Sequence, residues 1–313
     1  NQIQNIKLEN NKITAEIEKN IIEETPLIAT TILSSTNTII NEIDYTYLII
    51  DEASQVPIYL ALIPLLKTEK FILVGDDKQL QPITNKQATH LLNQSIFHHM
   101  KHKYLENHTF LETQYRMNKE ISQIASKLYY QKRLKTNDKN KNIQINIKLN
   151  NILLNKQPIT YINTANTKNY EENINSGCIN KKEAQLIKDI IETLLKQNIK
   201  PEQIGIISPY KKQQKQIQKI IQNSKIETDT IYRFQGREKD IIIISFCKSN
   251  LEQLKPGQKR FISQTNQLNV SITRAKKKLI IIGDYNILQQ TKNTKELIKS
   301  INPKNIIHLE IFN

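Results

Sequence analysis

The chain has 313 residues, enough for two domains of ordinary size, and carries 45 Lys and Arg against 30 Asp and Glu, a formal net charge of +15. An excess of this size points to a polyanionic partner, nucleic acid first, although the Asn, Ile and Lys that crowd the whole sequence account for part of it. Two cysteines, Cys178 and Cys247, exclude a four-cysteine zinc site or an iron–sulfur cluster within this chain and argue against a disulfide scaffold; no apolar stretch approaches the length of a membrane span, so no membrane partner is expected.

In chain order, the stretch YLIIDEASQ at 47–55 predicts a strand buried on both faces, with Asp51 and Glu52 at its C-terminal edge. That edge is where open α/β sheets bind ligands, but an isolated acidic pair is equally a surface turn. A second strand is predicted in FILVGDD at 71–77. A domain division is placed ahead of QYRMN, giving domains 1–111 and 112–313. NKEISQIASKLYY at 118–130 has helical spacing, and the polar segment 136–151 reads as a loop or insertion. Further strands are predicted in ITYINT (159–164), IGIISPY (204–210), DIIIISF (240–246) and KLIIIGD (278–284), with a long helix over 180–197. Lys276, Lys277 and Lys278 read as a solvated basic turn. Strands alternating with helices predict an α/β protein built on parallel sheets.

The ordered set of Asp51-Glu52, GDDKQLQP (75–82), ETQYRMN (112–118), TIYRFQGREKD (230–240) and LNVSITRAK (268–276) resembles the motifs of superfamily-one helicases. The branch is the one that contains the nonsense-mediated-decay RNA helicase and the eukaryotic DNA replication helicase/nuclease. PLIATTILSS, GCINKKEAQLI and VSITRAKKKLIIIGD resemble the helicase half of the latter, and the resemblance runs over nearly the whole chain from about Pro26.

The resemblance implies tandem RecA-like domains, the first incomplete, using ATP and Mg²⁺. By the same resemblance Asp51 holds the metal, Glu52 acts on the attacking water and Gln79 senses the γ-phosphate with Asp76 in support. Arg116 and Arg274 would be arginine fingers, since a planar guanidinium bridges several phosphate oxygens. Tyr115 would pack on adenine, Glu238 contact the ribose, and Gln235 and Gly236 lie near the phosphates. Thr30, Thr31, Ser208 and Pro209 would track single-stranded or forked DNA, moved along 5′ to 3′, with RNA as the alternative. A single-strand-binding protein is among the partners suggested, and the location implied is the nucleus in a eukaryote, otherwise the cytoplasm.

Some positions depart from the family pattern: Asn266 and Gln267 stand for two arginines, Tyr232 for an acidic residue and Gln81 for a proline. The first of the six glycines is Gly75, after the acidic motif, so the phosphate-cradling loop that should precede that motif is not found. With Asn at position 1 and Met100 the first methionine, the chain reads as the C-terminal part of something longer, inactive alone. A nuclease domain and any iron–sulfur cluster would lie upstream. A non-catalytic nucleic-acid-binding remnant is the reading from a different class.

Overall fold

The computed structural model describes residues 2–83, 94–147, 153–167, 171–174, 177–234, 236–252, 254 and 264–309. The chain divides into two compact units, Asn1–Thr109 and Phe110–Asn313.

The first unit begins with α1 (Gln2–Glu24), which buries none of its residues and leaves Ile3, Ile6, Ile13, Ile17 and Ile21 exposed. After α2 (Thr38–Asn41), the chain runs through β1 (Tyr45–Ile50), α3 (Ile58–Leu65), β2 (Thr68–Leu73) and α4 (Ile96–Lys103). β1 and β2 pair in parallel, Tyr45 opposite Thr68 and Ile50 opposite Leu73, so α3 is the crossover that a parallel pair requires. Ile50, Ala53, Ile58, Ala61 and Ile96 form the core, with Leu48 and Phe97 packed against it. The expectation that β1 is buried on both faces is corrected here. Alternation along a strand sends Leu48 and Ile50 inward and Tyr47 and Ile49 to the opposite face, where they are 60% and 63% exposed.

The second unit holds a short parallel pair, β3 (Thr113–Gln114) with β4 (Lys135–Thr136), separated by α5 (Lys119–Tyr129). Its main sheet comprises β5 (Ile159–Asn163), β8 (Ile204–Ile207), β9 (Glu227–Asp229), β10 (Lys239–Ser245), β11 (Ala275–Gly283) and β12 (Ile306–His308), all parallel, in the order β12-β5-β11-β10-β8-β9. A small antiparallel hairpin, β6 (Glu172–Ile174) and β7 (Gly177–Ile179), leads into α6 (Lys181–Lys196). Among the described residues the remaining α-helices are α7 (Lys211–Ile221), α8 (Thr265–Thr273), α9 (Tyr285–Leu288) and α10 (Lys292–Lys299).

Helix α6 shows why these segments fold as they do. Ala184, Ile187, Ile190, Ile191 and Leu194 fall at helical spacing and form one buried stripe, and Asn180 caps the start by accepting from the Glu183 N–H at 3.0 Å. That stripe packs with Ile162, Ile206, Ile241, Ile243, Ile280 and Ile282, one face of the sheet. The intervening residues Ile242, Ile244 and Ile281 are buried as well, with α5 contacting β11 and α8 contacting both β10 and β11. A sheet covered on both sides needs apolar residues at every position, which is the pattern of IIII at 241–244.

The polar segment 136–151 is a loop over its described residues, apart from the end of β4 at Thr136 and one helical turn at Asp138–Asn140, although its Ile145 and Ile147 are buried in the main core. One expectation changes. Lys276 to Lys278 are not a solvated turn but lie within β11, and Lys278 is 1% exposed. Its Nζ donates to the carbonyls of Asn155 at 2.8 Å and Gln157 at 2.7 Å, and burial lowers its pKa to about 7.

Candidate functional site

In the first unit, two turns follow the C-terminal ends of adjacent parallel strands. The Val74 N–H donates to the Ile50 carbonyl at 2.9 Å and the Ala53 N–H to the Val74 carbonyl at 2.8 Å, so the Asp51-Glu52 turn is fastened to the turn that starts at Gly75. Asp51 and Glu52 are both exposed. Asp51 Oδ1 accepts from the Glu52 N–H at 2.8 Å, and Glu52 sits at φ 51°, the left-handed region that side chains rarely adopt. The Gln55 Nε2 donates to Glu52 Oε2 at 3.1 Å. This strained turn leads straight into the short helix Ala53–Gln55.

Gly75 is required by close approach. A Cβ on it would lie 2.9 Å from the Ser54 nitrogen and 3.0 Å from the Phe97 ring. Beyond it, Asp76 Oδ2 accepts from Gln79 Nε2 at 2.9 Å and its Oδ1 from the Lys78 N–H, which holds the Gln79 side chain in place. Asp77 is clamped by Lys101 at 2.8 Å and Lys78 at 3.1 Å. Burial works to raise the pKa of Asp77, but the hydrogen bonds and charges of these two lysines outweigh it and hold the carboxyl below its usual range. Thr30 and Thr31 are exposed, and the Thr31 hydroxyl hydrogen-bonds Ser34 Oγ at 2.8 Å at the start of the short helix Ser34–Thr36.

In the second unit, Arg116 and Glu238 meet although 122 residues apart: Arg116 Nε donates to Glu238 Oε2 at 2.5 Å. Lys276 Nζ lies 3.0 Å from the other carboxylate oxygen. Burial of Glu238 works to raise its pKa, and Lys276 and Arg116 reverse this to leave the carboxyl below its usual range. Arg274, 2% exposed, follows α8 and donates to the Arg237 carbonyl at 3.2 Å. Tyr115 is 69% exposed, its carbonyl accepting from Asn140 Nδ2. Gly236 has φ +74° and open space where a Cβ would be, while Gln235 lies outside the described residues. Ser208 is fully buried, its carbonyl accepting from Gln214 Nε2 at 2.7 Å, and Pro209 is half-buried.

The structure thus groups Asp51, Glu52, Asp76 and Gln79 in one unit, and Arg116, Glu238 and Arg274 in the other. Lys276, Gln55 and Lys101 are partners that sequence reasoning missed. A run of three lysines gives no sign of where each one goes. Between Lys239–Ala275 and Ile241–Lys278 the register of β10 on β11 shifts, with an extra residue on β11, so simple alternation fails there.

Among the described residues no group of three or more His, Cys, Asp or Glu could hold a metal ion. One exposed carboxylate fits Mg²⁺ brought in with a nucleotide, because that ion keeps water and phosphate oxygens as most of its ligands.

The family described as AAA domain matches residues 92–286, and a second family of the same description matches residues 1–87. The uncharacterized ATP-dependent helicase of Methanocaldococcus jannaschii is 33% identical over 298 residues, 92% of this chain and 43% of that protein. The DNA replication ATP-dependent helicase/nuclease dna2 of Schizosaccharomyces pombe is 34% identical over 302 residues, 90% of this chain and 21% of that protein. The chain therefore spans less than half the length of these relatives. Among solved structures, the Arterivirus nonstructural protein 10 (helicase) superposes with a TM-score of 0.38 and 12% identity, over 87% of this chain and 43% of that one, a likeness too loose to bear on the site. With its AAA-domain matches spread over both units, the chain belongs to the AAA-domain family of superfamily-one, DNA2-like helicases.

Proposed function

We propose that this chain is the motor portion of an ATP-dependent DNA helicase that couples ATP hydrolysis to 5′-to-3′ movement along single-stranded DNA in replication and repair. The observation that carries the reading is the pair of parallel strand ends that hold the Asp51-Glu52 turn against the Gly75–Gln79 turn. Phosphoryl transfer calls for a metal ligand, a group acting on the attacking water and a sensor of the terminal phosphate, close together and held rigidly.

Bound ATP and Mg²⁺ supply the phosphoryl group and neutralise its charge. Asp51 would be the protein ligand of the metal. Glu52, steadied by Gln55, would accept the proton of the attacking water, and Gln79, aimed by Asp76, would read the terminal phosphate. Arg116 and Arg274 would stabilise charge on the transferred group, and the exposed Tyr115 ring would stack on adenine. In this structure Glu238 holds Arg116, so contact of Glu238 with the ribose would free that guanidinium. Gln235 and Gly236 would lie near the phosphates. Thr30, Thr31 and Pro209 would face the strand, and buried Ser208 would act by shaping the turn that presents Pro209.

The glycine-rich phosphate cradle would come from sequence beyond these residues, so the chain alone would be inactive. A nuclease domain and any iron–sulfur cluster would likewise lie elsewhere in the full protein. Forked or flapped DNA and a single-strand-binding protein are the partners this reading suggests, with the nucleus as its location in a eukaryote.

The test is hydrolysis by the full-length protein with and without nucleic acid. Single-stranded DNA is expected to stimulate it, and Glu52→Gln to reduce it by about 10²–10⁴-fold. Unchanged hydrolysis in that variant would overturn the role of Glu52. Preference for RNA would make it an RNA motor of the same branch, and no stimulated hydrolysis at all would leave a binding remnant.

A further inference from the structure

We propose that Cys178 and Cys247 are a disulfide-forming pair, a covalent modification site in the second unit that does not depend on the helicase reading. They are 69 residues apart in the chain, both are fully buried, and their sulfurs lie 2.6 Å apart. Two separate elements bring them together. Cys178 is the middle residue of β7, paired with Asn173 of β6, and Cys247 stands two residues past the end of β10.

Cys247 holds φ at 69°, a left-handed conformation that residues with a Cβ rarely adopt. It is locked there from both sides. Its N–H donates to Glu183 Oε2 at 3.0 Å, and its carbonyl accepts from Asn180 Nδ2 at 3.1 Å. Glu183 and Asn180 both belong to the start of α6, directly after β7. The same short stretch therefore carries Cys178 and fixes the backbone of Cys247, so the sulfurs need only close from 2.6 Å to the roughly 2.05 Å of a disulfide. Two cysteines that only filled space would need neither the contact nor the strained backbone.

The oxidant is a peroxide. One thiolate attacks a peroxide oxygen, giving a sulfenic acid as the other oxygen leaves as water. The second sulfur then displaces the sulfenic hydroxyl, again as water. The pair loses two electrons and two protons, and the peroxide is reduced. Burial, and then the neighbouring Cys178, push the Cys247 thiol well up, so the reaction is slow at neutral pH and faster in mild alkali. The bond would tie the β6–β7 hairpin to the end of β10.

The experiment treats the chain with hydrogen peroxide, denatures it without reductant, alkylates it and maps its peptides. The expected result is loss of both alkylatable thiols, a linked peptide pair containing Cys178 and Cys247, monomeric chain, and recovery of both thiols with dithiothreitol. In Cys178→Ala, oxidation of Cys247 is expected to stop at the sulfenic or a higher acid, with no linked peptide within the chain. Two free thiols after oxidation, separate sulfinic acids in place of a linked pair, or thiol loss that dithiothreitol does not reverse would each overturn the proposal.

Discussion

Gly75 and Glu183 each place a measurable demand on their surroundings. At Gly75 a methyl group would press on the Ser54 backbone and the Phe97 ring, neither of which is the loose end of a flexible side chain. Gly75→Ala is expected to destabilise the first unit by roughly 1–3 kcal/mol, the range for forcing an extra carbon into a packed site, and a shift in its urea midpoint would measure this. Glu183 is 1% exposed, with Oε2 accepting from Ser245 Oγ at 2.6 Å and from the Cys247 N–H, while Oε1 has no partner among the described residues. Burial raises its pKa from 4.5 to about 7, against the pull of those two hydrogen bonds. Between these values the folded chain holds a proton that the unfolded chain releases. Stability therefore falls as pH rises from about 4.5 to 7, by about 3 kcal/mol in all. Glu183→Gln keeps an acceptor toward Ser245 and Cys247 without the charge. It should flatten this part of the pH profile and be more stable than the parent at pH 8 by urea unfolding. An unchanged profile would mean that Glu183 is ionised in the fold at all these pH values.

Helices α5 and α6 start with the same device. Asn118 accepts from the Glu120 N–H at 2.8 Å while its Nδ2 donates to the Ile143 carbonyl at 2.8 Å. Asn180 accepts from the Glu183 N–H while its Nδ2 donates to the Cys247 carbonyl. Each asparagine is thus both cap and tether, tying a helix start to a distant segment. A cap contributes about 1 kcal/mol, and a carbonyl left unpaired costs about 1–3 kcal/mol when buried and less at half-buried Ile143, where water can reach it. Asn118→Ala is expected to lose both terms, and Asn118→Asp, which can still cap, only the second. Equal losses in thermal unfolding would show that the tether to Ile143 carries all of the effect. Helix α1 is the opposite case. It has no buried residue, so nothing in its own unit selects the side that its isoleucines occupy.

Across the whole molecule the net charge of +15 governs behaviour toward polyanions. Binding to single-stranded DNA should weaken steeply with salt, by at least about tenfold between 50 and 200 mM if several phosphates are contacted. A titration followed by fluorescence anisotropy would measure it. A flat curve would mean that the lysines are an effect of composition and that the strand is held by other contacts. Several of them are already committed within the chain: Lys248 is fully buried against Glu171, and Lys276 and Lys277 pair with Glu238 and Asp240. Each of these pairs is neutral and already cancels within the net charge, so the +15 belongs to the remaining cations.

The primary structure alone was enough for the α/β class, the longer strands β1, β2, β5, β8, β10 and β11 and the helices at 119–129 and 181–196, because apolar periodicity is a local property, whereas the two- and three-residue strands β3, β4, β6, β7, β9 and β12 are too short to show one. It also supplied the motifs by which Asp51, Gln79 and Arg116 were singled out, since these are short and ordered along the chain. Spatial neighbours were a different matter. Nothing local announces that Glu238 meets Arg116 across 122 residues, that Lys278 is buried beneath two carbonyls, or that Cys178 touches Cys247. Those follow from strand order and register, and from a bulge that shifts β10 on β11, which are decided by packing over the whole sheet. The exposed face of β1 shows the same limit: an apolar run predicts a strand, but only the tertiary structure determines which of its faces is covered.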